Sequence, residues 1–122
     1  LLLACWGNRL GMVRMLLKAN ADPNEPCCEG FTAVHMAAVE GHFRMAQMLL
    51  EANADADRAA NCGDTPLFWA CAHDKLQVAK LLLEARADAD KATSRGATPT
   101  LIASFQGHQD IIRLLLDARA DT

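Results

Sequence analysis

The sequence predicts an all-α repeat solenoid of stacked helix–turn–helix units, and two observations carry that prediction. The chain repeats itself at a step of 33 residues, so that Glu51–Asp57 reads EANADAD and Glu84–Asp90 reads EARADAD. Gly30, Gly63 and Gly96 keep the same step, as do Thr32, Thr65 and Thr98, the four Leu-Leu pairs from Leu16-Leu17 to Leu115-Leu116, and Ala21-Asp22, Ala54-Asp55, Ala87-Asp88 and Ala120-Asp121. A fixed period of roughly 20 to 50 residues marks repeats that bury their apolar faces only by stacking. The second observation is that each period holds two short apolar stretches with helical spacing, separated by a turn residue.

The stretch Ala60–Arg86 shows how one unit is built. Gly63 adopts positive φ without steric cost, which suits a tight turn at a loop tip. Thr65 then caps a helix that Pro66 opens, since the first helical residue needs no N–H partner. Leu67, Trp69, Ala70 and Cys71 are its apolar positions, and Asp74 marks the turn that ends it, in phase with Gly41 and Gly107. A second helix is expected from about Leu76 to Ala85, with Val78, Ala79, Leu81, Leu82 and Leu83 on a broad apolar face. The exit from that helix falls on Asn20, Asn53, Arg86 and Arg119 in successive units, and Asn takes the left-handed ending conformation more readily than Arg.

The run Gly63-Asp64-Thr65-Pro66-Leu67, the following Ala70, the pair Leu82-Leu83 and Ala87-Asp88 resemble the ankyrin repeat, a β-turn followed by two antiparallel helices. The likeness covers the whole chain as a single domain. Its units are a partial one at 1–24, where the turn and Thr-Pro start are missing, and then 25–57, 58–90 and 91–122. The apolar run Asp110–Ala118 lacks the polar outer face of a terminal repeat, so the chain reads as part of a longer array with further ankyrin-like repeats in cis. The resemblance places His35 in a hydrogen-bond network between adjacent turns. Phe68 and Leu101 replace that His in the next two units, and Ala33 replaces the Pro, which puts the network in question while adding apolar surface.

Composition narrows the functions. A 52% hydrophobic chain of 122 residues has ample material for a core, and a net charge of -3 gives no basic field for nucleic acid. No apolar run approaches the roughly 18 residues of a membrane span. Five cysteines, an odd number without a spaced disulfide framework, and no Asn-x-Ser/Thr acceptor suit an intracellular, cytoplasmic protein.

Catalytic and metal chemistry find little support. Cys27, Cys28 and Cys62 fall on successive turns near His35, yet no C-x2-C pair exists to seed a zinc site. Cys5 and Cys71 share a position with Ala38 and Ser104 and read as small packed residues. The pairs Asp55/Asp57 and Asp88/Asp90 begin like a calcium loop, but after Asp90 the next ligand position is Ala92 and the turn-glycine position is Thr93, so turn formation explains them better. His42 and His108 share one repeat position, which favours a structural role, and Trp69 sits in an apolar column with Leu3, Met36 and Ile102. Leu16–Asn24 resembles ankyrin segments modified by asparaginyl hydroxylases at the position of Asn24, which reads first as a turn residue. No cofactor is called for.

Ankyrin-type units bind partner proteins through turn tips and the concave side of the first helix. That resemblance, with the variation from copy to copy, selects Glu29, Phe31, Asn61, Asp64, Ser94 and Arg95 at the tips. On the concave face it selects Trp6, Val39, Glu40, His73, Phe105 and Gln106. Trp6, Phe31 and Phe105 are either interface anchors or partly buried against a neighbouring unit. The function expected is a protein–protein interaction module without enzymatic activity; a substrate-recruiting segment of a larger enzyme and a spacer without a partner are the alternatives.

Overall fold

The computed structural model describes Gly7 and residues 9–120, apart from the side chains of Cys28, Arg119 and Ala120. Seven α-helices lie among these residues: α1 (Leu10–Lys18), α2 (Ala33–Glu40), α3 (Phe43–Glu51), α4 (Pro66–Ala72), α5 (Leu76–Glu84), α6 (Pro99–Gln106) and α7 (Gln109–Ala120). A single 3-10 turn at Cys28–Gly30 precedes α2, and there is no strand among the described residues.

Helix starts follow the Thr-Pro signal. The Thr65 and Thr98 hydroxyls accept the N–H groups of Phe68 and Leu101, each at 3.1 Å, with Pro66 and Pro99 opening α4 and α6. Helix ends repeat as faithfully. Asn20, Asn53 and Arg86 take positive φ of 67°, 69° and 68°, and the residues after them, Ala21, Ala54 and Ala87, donate to Leu16, Leu49 and Leu82. That closure satisfies carbonyls the helix would leave open. First helices end likewise, at Gly41, Asp74 and Gly107, with His42, Lys75 and His108 donating back to Ala37, Ala70 and Ala103. The fourth exit differs: α7 runs through Arg119 to Ala120, so the left-handed ending expected at Arg119 is not formed. Arg86, in the same phase, does take the left-handed conformation, so residue type alone does not set this difference.

Packing is in two layers. The first helices α2, α4 and α6 contact one another in sequence, and the second helices α1, α3, α5 and α7 form a parallel row behind them. The core between the layers is written in columns one repeat apart. Met45, Val78 and Ile111 make one column, Leu49, Leu82 and Leu115 another, and all six are fully buried. Ala37, Ala70 and Ala103 line the first helices, where small side chains allow close approach.

The repeated Asp-rich phrase is a tie between units. The Asp22, Asp55 and Asp88 carboxylates accept the N–H two residues on, from Asn24, Asp57 and Asp90, at 2.8, 2.9 and 2.9 Å. The side chains of Asn24 and Asp57 then reach the following unit: Asn24 Oδ1 accepts the Asp55 N–H at 2.7 Å, and Asp57 Oδ1 accepts the Asp88 N–H at 2.8 Å.

Two outcomes follow for stability. Because Asn already occupies the left-handed exit twice, Arg86→Asn should stabilise the chain by about 1 kcal/mol, read from the urea midpoint at unchanged slope. Asp57→Ala should cost about 1–2 kcal/mol while Asp57→Asn stays close to the parent, because an Asn carboxamide does the same job at Asn24.

Candidate functional site

The candidate surface consists of the turn tips and the layer of first helices. Each tip closes on itself through two backbone bonds: Cys27, Ala60 and Thr93 donate to Phe31, Asp64 and Ala97 at 2.7, 2.8 and 2.8 Å, and Gly30, Gly63 and Gly96 donate back to Cys27, Ala60 and Thr93 at 3.2, 2.8 and 2.9 Å. Neighbouring tips are joined: the Asn61 N–H donates to the Glu29 carbonyl at 2.8 Å, and Ser94 donates to the Cys62 carbonyl through both its N–H and its hydroxyl. Gly63 is needed twice over at this junction. Its φ is +84°, and a Cβ there would stand 2.7 Å from the Ser94 nitrogen.

Glu29, Asn61, Ser94 and Arg95 are exposed at these tips, and Asp64 is half-buried. Glu29 has a left-handed φ of 62°, which its counterparts Cys62 and Arg95 do not share. Asp64 is committed to the fold: its carbonyl accepts from Ala60 and from His35, and its carboxylate accepts the Cys62 thiol at 3.1 Å. Along the helices, Glu40, His73, Phe105 and Gln106 are exposed and Val39 is half-buried. Phe105 is 84% exposed, and Leu101, one helical turn earlier, is 56% exposed. Trp6 lies outside the described residues.

The structure also gathers an aromatic cluster that single positions did not reveal. Trp69 stacks on His73 with ring centroids 5.7 Å apart, meets Phe68 edge-on at 5.8 Å and reaches Phe31 at 6.1 Å. Phe31 in turn sets its edge against His35 at 5.3 Å. Phe31 is thus half-buried between units, and the Trp69 indole nitrogen is buried with no hydrogen-bond partner. Trp69 lies on α4 and His73, four residues on, caps its end, and that spacing is the signal the sequence offers.

His35 holds the junction of the second and third units. Its Nδ1 lies 3.1 Å from the Thr32 nitrogen, whose N–H it accepts, so the ring proton sits on Nε2 and donates to the Asp64 carbonyl at 2.9 Å. The ring is completely buried. Burial holds its pKa below the ordinary 6.5, outweighing the Asp64 carbonyl and carboxylate, which raise it, while Arg58 lowers it further. His108 joins the next junction, its Nδ1 2.8 Å from the Cys71 carbonyl. The Cys71 thiol is buried and pushed up to about 12 by desolvation, whereas the exposed Cys62 thiol is raised chiefly by its bond to Asp64. Neither is a thiolate near neutral pH.

Among the described residues no group of three or more His, Cys, Asp or Glu is placed to hold a metal ion, and no helix is long and apolar enough to cross a membrane. A groove of about 660 Å³ is lined by residues of α5, α7 and the loop after α5, with none from the first helices. Its walls mix Lys80 and Arg86 with Glu84, Asp88, Asp90 and Asp117, and include no imidazole, thiol or hydroxyl group.

Two-layered stacking, a 33-residue register and tip-to-tip bonding define a helical repeat scaffold. Family models agree over nearly the whole chain: one for ankyrin repeats (3 copies) matches residues 53–122, and one for ankyrin repeats (many copies) matches residues 1–50. The chain belongs to the ankyrin repeat family, whose members are generally protein–protein interaction modules. No curated protein matches it.

The His35 junction gives the stack a pH dependence of definite sign. The unfolded chain takes up the imidazole proton near pH 6.5 and the folded chain only below that, so this contribution is complete above the unfolded value and is lost as pH falls from there towards the lower folded value. Urea midpoints measured between neutral and mildly acid pH should fall with pH in the parent. The part due to this ring should vanish in His35→Phe, a side chain the third unit already carries at Phe68.

Proposed function

We propose that this chain is a binding scaffold for another protein, engaged through the turn tips and the first-helix layer. The observation that carries the reading is the apolar pair on α6. Phe105 is 84% exposed beside Leu101, whereas the residues in the same phase as Phe105, Val39 and Ala72, are half-buried. Aromatic residues, Phe among them, are enriched at protein interfaces, and a solvent-facing ring on a rigid frame is a ready anchor. Around them the side chains change from unit to unit, with Glu40, His73 and Gln106 in one row and Glu29, Cys62 and Arg95 in another, while the core columns stay apolar. A fixed frame with variable rows is what selective recognition needs.

Phe105 and Arg95 make better probes than Phe31 or Asp64, whose atoms are committed to packing and to His35. Affinity enrichment from a cell extract, quantified by mass spectrometry, should retain one or more proteins on the parent that a Phe105→Ser, Arg95→Glu variant of equal helicity and urea midpoint loses. Identical retention by both would reject this surface as the binding face.

A further inference from the structure

The tips and first helices carry their charges in an order that the rest of the stack does not share. Residues 25–42 of the second unit hold Glu25, Glu29 and Glu40 and no Lys or Arg. In the same phase, residues 58–75 of the third unit balance Arg58 and Lys75 against Asp64 and Asp74, and residues 91–108 of the fourth hold Lys91 and Arg95 and no Asp or Glu. The exchange is position for position: Glu25 stands in the phase of Lys91, and Glu29 in the phase of Arg95. Second helices instead mix the signs within each unit, as with Arg44 and Glu51, Lys80 and Glu84, and Asp110 and Arg113. Glu25, Glu29, Glu40, Lys91 and Arg95 are all exposed. Cys62, in the phase of Glu29 and Arg95, is exposed in the middle of the stack too, so exposure is a property of this tip position in every unit. Glu29, Glu40 and Arg95 form no ion pair among the described residues.

Packed helices lie about 8–10 Å apart, so two steps along the row of first helices separate the acidic tip from the basic one by roughly 20 Å. Charges at a surface screen one another over about 8 Å at physiological ionic strength, so each end acts on a ligand separately. A uniformly anionic ligand, such as nucleic acid or an anionic lipid surface, gains at Lys91 and Arg95 and loses at the three glutamates, and a uniformly basic one does the reverse. We propose that the partner contributes an extended segment with the two signs separated along it, its Lys or Arg end over the second unit and its Asp or Glu end over the fourth. An extended chain advances about 3.3 Å per residue, so the two charged ends lie about six residues apart. Turned end for end, the same segment would set like charges together at both tips, so the row also fixes the direction in which the partner runs. Both its chemistry and its direction rest on the scaffold function proposed above.

Selection from a displayed library of random linear peptides on the parent chain tests it, followed by binding of the enriched peptides to an exchange variant, Glu25→Lys, Glu29→Arg, Lys91→Glu, Arg95→Glu. The exchange leaves the net charge unchanged, and Arg already takes the left-handed conformation of Glu29 at Arg86. Far-UV circular dichroism and the urea midpoint check its fold. Enriched peptides should carry Lys or Arg towards one end and Asp or Glu towards the other. They should bind the exchange variant about tenfold more weakly, because several exposed pairs turn repulsive together. A nitroxide on the basic end should broaden amide resonances around Glu29 and spare those around Arg95, a readout that needs no variant. Peptides that lose binding on Phe105→Ser, Arg95→Glu yet show no separation of charge overturn the proposal and leave the scaffold function standing. Enrichment of nothing above background, unchanged affinity for a folded exchange variant, or broadening around Arg95 in place of Glu29 overturns it as well. The extract experiment above judges the scaffold function independently of these peptides.

Discussion

Everything in this structure depends on the burial of one unit's apolar face by the next. Helices of seven to nine residues, such as α4 and α5, are too short to persist alone in water. A pair of them leaves Val78 and Leu82 only partly shielded until α3 and α7 flank α5 on either side. Side chains must therefore meet in the same register at every junction, and the 33-residue step maintains it. A one-residue slip in a single loop would move Leu49 off the column it shares with Leu82 and Leu115 and leave a core position unfilled.

Apolar columns resist separation but tolerate sliding, because hydrophobic contact is non-directional. The directional ties sit outside the core and are of three kinds. Tip carbonyls accept the next tip's N–H, as Glu29 does from Asn61. Asn24 and Asp57 hold the N–H groups of Asp55 and Asp88. His35 and His108 bridge to carbonyls of a neighbouring unit. Protonation of His35 weakens one junction only, because Phe68 and Leu101 occupy its place elsewhere.

Much of this was legible in the sequence because repetition removes chance. One Gly-Asp-Thr-Pro is weak evidence, but Gly63, Thr65 and Leu82-Leu83 recurring in phase made the helix starts and the core columns readable together. The turn role of the Asp pairs was legible too, whereas the bonds from Asn24 and Asp57 into the following unit were not, since they need the distance between loops. What stayed hidden is what breaks the repeat. The left-handed Glu29, the Trp69 cluster and the continuation of α7 through Arg119 each occur once, and periodicity says nothing about a feature without a second copy. Thr100 is of the same kind: it stands in the column of the buried Val34 and Leu67, with its hydroxyl buried and unpartnered.

The same division separates frame from function. Positions that bear the register cannot vary without cost, so Ala70, Leu82 and Gly63 carry no information about a partner. Glu40, His73 and Gln106 bear no register, and the chain places three different chemistries on one row of otherwise equivalent positions. Some departures serve both ends: Phe68, in the place of His35, gives up a tie between tips and gains a ring that packs against Trp69 at the edge of the first-helix layer. Rigid spacing between such rows comes from the stack at no further conformational cost, because the helices that present them are already ordered by folding. The positions free to differ are therefore those where the repeat is imperfect, and the fold supplies the fixed distances between them.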